Sequence, residues 1–147
     1  MDVVYIPKEQ INKVWVLAKP YVDDALAYSN SHHHSDHFKD LMVKGKLQLW
    51  LLWDEKKNTI NEKMNGVVVS EIIQRSIKKV FHLPIVTGKN RQRWQHLIEK
   101  LEDFAKDQGC DLMELIARPG WQRVLNAFDY KRTHVVLEKK IKQENEI

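Results

Sequence analysis

VFHLPIVTGKNRQRWQHLIEKLEDFAKDQGCDLMELIA, residues 80–117, reads as strand, loop, long helix and strand. Trp94, Leu97, Ile98, Leu101, Phe104 and Ala105 recur at three- and four-residue steps and so share one helical face, with Glu99, Lys100, Glu102, Asp103 and Lys106 on the others. Gly109 follows as a left-handed stop. Phe81-His82-Leu83-Pro84-Ile85-Val86 is too short and too β-branched for a helix, which makes it a strand. Pro84 has no N–H to give to a ladder and is tolerated in a sheet only at an edge or a bulge. Pairing between this strand and the one at Leu112–Ala117 is therefore expected to break near Pro84, leaving a cleft with free backbone groups. The cleft opens toward Lys89, Arg91 and Arg93. These cations stand where the helix begins, and a helix start presents unpaired N–H groups and the positive end of its dipole. That combination marks Lys89, Asn90, Arg91, Gln92 and Arg93 as a candidate phosphate site; the alternative is an exposed basic turn.

A chain of 147 residues, 43% hydrophobic and 30% charged, has enough apolar material for one globular domain, expected to span 1–147 without a linker. The longest apolar run, Leu47 to Trp53, is far short of a membrane span, and MDVVYIPKEQ lacks the charged and apolar regions of a signal peptide. The expected compartment is cytoplasmic. Cys110 is the only cysteine, which excludes an internal disulfide and a cysteine-based metal site. A net charge of +4 suits anionic partners, but the basic residues are scattered and EKKIKQENEI mixes both signs, so no nucleic-acid arm stands out.

Working outward, Val3–Ile6 reads as a short strand stopped by Pro7. Ile11, Val14, Trp15 and Ala18, continued by Val22, Ala25 and Leu26, give a helix that Pro20 is expected to kink or divide. A loop and a second short helix, with Phe38, Leu41 and Met42 apolar, end at Gly45. Strands follow at Leu47–Trp53, Gly66–Gln74 and Lys79–Val86, with connections short enough for an antiparallel meander. After the opening unit, Pro119-Gly120 marks a turn, Trp121, Val124, Leu125 and Phe128 form a short helical face, and Thr133–Leu137 reads as a last strand. The order β-α-α-β-β-β-α-β-α-β predicts an α/β (α+β) mixed sheet with helices on both faces.

This order, with IVTGKNRQRWQHLIEKLEDFAKDQGCDLMELIARPGWQRVLNAFDY, resembles the GNAT (GCN5-related N-acetyltransferase) superfamily, in particular the small divergent GNAT-like proteins of bacteriophages and prophages. The topology is shared over nearly the whole chain, and the residue-level likeness concentrates in Leu97–Cys110 and Trp121–Tyr130. The resemblance implies a cytoplasmic N-acyltransferase that carries acetyl groups from acetyl-CoA to an amine. It also implies that the pantetheine arm lies between splayed central strands, beside Leu83, Ile85 and Val86, with the pyrophosphate on the loop at Gly88–Arg93. Two departures are visible. The small positions of the family's pyrophosphate loop fall on Gln92 and Trp94, and the tyrosine that often serves as general acid aligns near Leu125, leaving Tyr130 as the substitute acid.

Acetyl transfer to an amine needs a base for the nucleophile's proton and an acid for the leaving thiolate. His82 and Glu71, on neighbouring strands, are the candidate bases, Glu114 on the strand after the helix is a third, and Tyr130 is the candidate acid. The ordinary alternative for each is packing at a rim. His32, His33, His34 and His37 offer a metal-ligand spacing at His33 and His37, but they lie in or beside a loop without fixed carboxylate or cysteine partners besides Asp36 and Asp40, so no metal is assigned. Trp15, Trp94 and Trp121 lie on apolar helix faces and are expected in the core, which leaves nucleic acid without a stacking platform. The rival reading is an inactive descendant of the same fold, a phage structural or host-interaction protein located in the host cytoplasm or the virion.

Overall fold

Val67, Val68 and Val69, apolar at three consecutive positions, need cover on both faces of the sheet, and they have it. The structure, a computed structural model, describes residues 1–28, 32–117 and 119–141. It divides into two compact units, Met1–Ala117 and Arg118–Ile147. The first unit holds a five-stranded sheet in the order β1 (Asp2–Ile6), β2 (Gln48–Trp53), β3 (Met64–Gln74), β4 (Lys79–Gly88) and β5 (Leu112–Leu115). The first four strands are antiparallel neighbours, and β5 runs parallel to β4. Every residue of β3 from Met64 to Ser70 is buried, as expected for a central strand.

One face is covered by α1 (Ile11–Tyr28) and α2 (Ser35–Val43), whose Ile11, Trp15, Val22, Phe38 and Met42 pack with Leu49, Leu51, Val67, Val69 and Ile85 of the sheet. Pro20 lies within α1 and does not divide it. A helix-interior proline costs about 3 kcal/mol. Burying Ile11, Trp15 and Val22 stabilises by about 1.5–3 kcal/mol each, so tertiary packing prevails over local propensity. His34 caps α2, its Nδ1 accepting from Asp36 N at 3.1 Å.

The other face is covered by α5 (Ile98–Asp107) through Ile98, Leu101 and Ala105. The Phe104 ring meets Trp50 at 4.9 Å, Phe81 at 5.6 Å and Tyr5 at 6.1 Å. The long helix expected after the Lys89–Arg93 loop, with Trp94 on its apolar face, is segmented. A short α4 (Arg91–Trp94) and a 3-10 turn (Gln95–Leu97) precede α5, and α3 (Ile60–Lys63) is a further short helix between β2 and β3. Trp94, Leu97, Ile98, Leu101 and Ala105 are still all buried, so the apolar face persists through the segmentation.

In the second unit α6 (Gly120–Asn126) buries Trp121 and Leu125. The strand expected at Thr133–Leu137 does not form: these residues have no ladder and are exposed, Leu137 to 90%. A strand exists only where its backbone groups are paired, and nothing among the described residues pairs with this segment. β5 also stops at Leu115, short of the expected Ala117, where its pairing with β4 ends.

Candidate functional site

The site begins with a register shift. In the β3–β4 ladder Glu71 faces His82 while Val69 faces Ile85, so Leu83 and Pro84 together stand opposite Ser70 as a β-bulge. Pro84 thus occupies the position where a missing donor is tolerated. The parallel ladder with β5 ends at Leu83–Leu115, with a last bond from Ile116 N to Leu83 O at 3.4 Å. From Pro84 to Gly88, β4 is paired to β3 alone. Lys89 N donates to Asn65 O at 2.8 Å, and antiparallel ladders alternate. The N–H and C=O of Val86 are therefore turned away from β3, toward the side where β5 has ended. This is the break the sequence predicts, and among the described residues it leaves the far half of β4 without a partner strand on the β5 side.

The turn after β4 is built tightly. Gly66 and Gly88 face each other, and a Cβ on Gly88 would lie 2.3 Å from Asn65 O, so only glycine allows this approach. Asn65, 1% exposed, accepts at Oδ1 from Asn90 Nδ2 at 3.1 Å, and Asn90 itself is left-handed at φ 57°. The cations are largely committed to the protein. Lys89 Nζ donates to Asn61 O at 2.6 Å, and Arg93 donates to Asp54 Oδ2 at 2.5 Å. The Arg93 bond holds the Asp54 carboxyl below the usual carboxylate value despite burial. Trp94 is 3% exposed, and its indole N–H donates to Lys89 O at 2.6 Å. Arg91 is half-buried, and Gln92 is exposed. The five residues of the candidate phosphate site share one turn, and Lys89 and Arg93 are both engaged in bonds within the protein.

Across the sheet from this turn, three strands bring charged groups into one row. Glu71 on β3, His82 on β4 and Glu114 on β5 are register partners, and register partners point to the same face. That face is the one carrying Val69 and Ile85, beneath α1 and α2. His82 Nδ1 stands 2.8 Å from Glu114 Oε1, a close contact whose ring N–H lies off the hydrogen-bond line. Arg75, in the β3–β4 turn, donates to both Glu114 oxygens, Nη1 to Oε2 at 2.8 Å and Nη2 to Oε1 at 2.9 Å. This fork holds the Glu114 carboxyl below its ordinary value against partial burial, with His82 adding to the effect. Glu114 is accordingly a fixed anion, poorly suited to taking a proton.

Tyr130 belongs to the second unit, where its N–H donates to Leu125 O at 3.1 Å. His33 and His37 stack at 4.8 Å, and among the described residues no group of three or more His, Cys, Asp or Glu is arranged to hold a metal. Trp50 donates its indole N–H to Ser70 Oγ at 2.9 Å on the α5 face. Sequence reasoning missed Asp54, Asn65 and Arg75. Nothing local in the sequence marks Asp54 or Arg75 as part of a site.

No family model and no curated protein matches the chain. Solved structures do. A probable acetyltransferase is similar with a TM-score of 0.67 and 14% identity, over 99% of this chain and 100% of the other. An aminoglycoside acetyltransferase from an uncultured soil metagenomic sample, in complex with sisomicin, is similar with a TM-score of 0.64 and 14% identity over 96% of each chain. AAC(6')-Iy, in complex with the bisubstrate analogue CoA-S-monomethyl-acetylneamine, is similar with a TM-score of 0.63 and 15% identity, over 97% of this chain and 98% of the other. At such identities the likeness is one of fold, and the fold is the acetyltransferase fold expected from the sequence.

Proposed function

We propose that this chain is an N-acyltransferase that moves an acetyl group from acetyl-CoA to an amine. The observation that carries the reading is the strand β4, which leaves its parallel partner at Leu83 and runs on with one edge open beside a basic turn. An extended thioester arm fits that edge, since Val86 offers the N–H and C=O that β5 would otherwise take. In this reading Leu83, Ile85 and Val86 line the arm, and the turn from Gly88 to Arg93 faces its phosphates. There the main-chain amides make the contacts, while Lys89, Arg91 and Arg93 add positive potential. When bound, acetyl-CoA would supply an activated acyl thioester: the acyl carbon would go to the amine nitrogen, and the sulfur would leave as a thiolate that takes up one of the two protons an ammonium nitrogen sheds on becoming an amide. His82, immediately before the bulge, accepts the proton that the amine loses, and Glu71 beside it favours the amine as a cation before that loss.

One observation favours a second reading. Trp94 fills a position where this fold's phosphate loop has a small residue, and Lys89 and Arg93 are engaged within the protein. That arrangement suits a catalytically inactive descendant, a phage structural or host-interaction protein.

Titration calorimetry with acetyl-CoA and desulfo-CoA separates the two. The transferase reading expects both to bind within about 1 μM–1 mM, the ordinary range of enzyme–substrate KM values. Lys89→Ala/Arg91→Ala weakens that binding at least tenfold, about 1.4 kcal/mol. His82→Gln leaves the binding and lowers acyl transfer by about 10²–10⁴-fold. No heat at millimolar ligand would remove the enzyme reading.

A further inference from the structure

Among the three groups in the row across β3, β4 and β5, Glu114 has the least freedom. Both of its oxygens are held by Arg75, and Oε1, one of the two, is also the atom that stands 2.8 Å from His82 Nδ1. His82 is 9% exposed, so its ring has little room to exchange one nitrogen for the other. The charged groups that bear on it are Glu71 from β3, Glu114 from β5 and Arg75 from the turn, the last through Glu114.

We propose that Glu114 is a positioning residue for His82: clamped by Arg75, its carboxylate takes the Nδ1 side of the imidazole and leaves Nε2 bare for the proton of an incoming amine. A neutral imidazole carries one N–H, and the group facing one nitrogen decides which nitrogen has it. A fixed anion at Nδ1 keeps the proton there. The lone pair at Nε2 is then available as a base, and once Nε2 takes a proton the imidazolium is stabilised by the same carboxylate. The role resembles that of the acid in any base–orienter pair, assembled here across a parallel strand pair and locked by an arginine from the adjacent turn. Arg75 sits at the hairpin end, outside the cleft, and acts only through Glu114. This role for Glu114 rests on the transferase reading above, whereas the tautomer it dictates can be measured without any acyl donor.

The test is long-range 1H–15N correlation NMR of His82, assigned by its loss in His82→Gln, at a pH where the imidazole is neutral. The wild-type protein is expected to show Nδ1 in the protonated and Nε2 in the unprotonated shift range. In Glu114→Ala the two nitrogens are expected to move toward each other as both tautomers become populated. Arg75→Met is expected to give an intermediate pattern and Arg75→Lys to recover most of the wild-type one, while Glu71→Gln leaves it unchanged. A pattern that follows Glu71 and ignores Glu114, or a wild-type Nε2 in the protonated range, overturns the proposal. Acetyl-CoA calorimetry on the same samples keeps the two ideas apart: absence of heat with the tautomer pattern intact sinks the transferase reading alone.

Discussion

Glu114 also controls a pH response. The Arg75 fork lowers its folded-state affinity for protons, so below the ordinary carboxylate range the unfolded chain binds the extra proton first. Its contribution to stability is therefore fully present above about pH 4.3, the free glutamate value, and is lost as pH falls through the folded pKa below it. Urea unfolding followed from pH 7 to pH 3 should show a midpoint that falls less steeply in Glu114→Gln than in the wild-type protein. An identical slope would mean that the fork does not hold in solution. What could be read at this scale depended on sequence distance. His82 and Glu71 were legible as candidate bases because each sits on an obvious strand close to Pro84. The Arg75–Glu114 fork spans 39 positions, as does Arg93–Asp54, and the sequence has no local mark of either.

At the scale of elements, the open edge of β4 has a consequence for exchange. Thr87 and Ile85 face β3, so their amides are in the ladder, while the Val86 amide points away from it. Amide hydrogen exchange should find Val86 fast between slow neighbours in the ligand-free protein, and should slow it on saturation with desulfo-CoA. Uniform protection from Leu83 to Gly88 would show the edge already covered. Pro84 made this break readable, because a missing N–H has only a few places in a sheet. The segmentation of the helix from residue 91 was not readable, since no Gly or Pro interrupts 91–107 and the apolar spacing continues through it. It accompanies φ −129° at Trp94, whose indole reaches back to the Lys89 carbonyl, a contact that no propensity contains. Thr133–Leu137 failed as a strand for a related reason: β-branched composition favours a strand and does not supply a partner.

For the molecule as a whole, charge and aromatic exposure point in different directions. The net charge is +4, yet Trp15, Trp50, Trp94 and Trp121 are 3–8% exposed, so they are not available to stack on bases. Fluorescence anisotropy with single-stranded and duplex oligonucleotides should therefore show only weak binding that disappears between 50 and 200 mM salt, on the order expected for a few phosphate contacts. Tight binding that survives 200 mM salt would contradict this. No helix among the described residues is long and apolar enough to cross a membrane. The sheet order and its two helical covers were legible because buried strands such as Val67–Val69 and the faces of α1 and α5 follow simple periods.

Arg93 fastens the turn after β4 to Asp54, the first residue past β2. Trp53 is next to that acid, half-buried, with its indole N–H on Glu55 Oε2 at 2.7 Å. The molecule thus carries its own fluorophore beside the anchor of the turn, and any occupant that loosens Arg93 alters the emission of an indole two strands away, with no label attached.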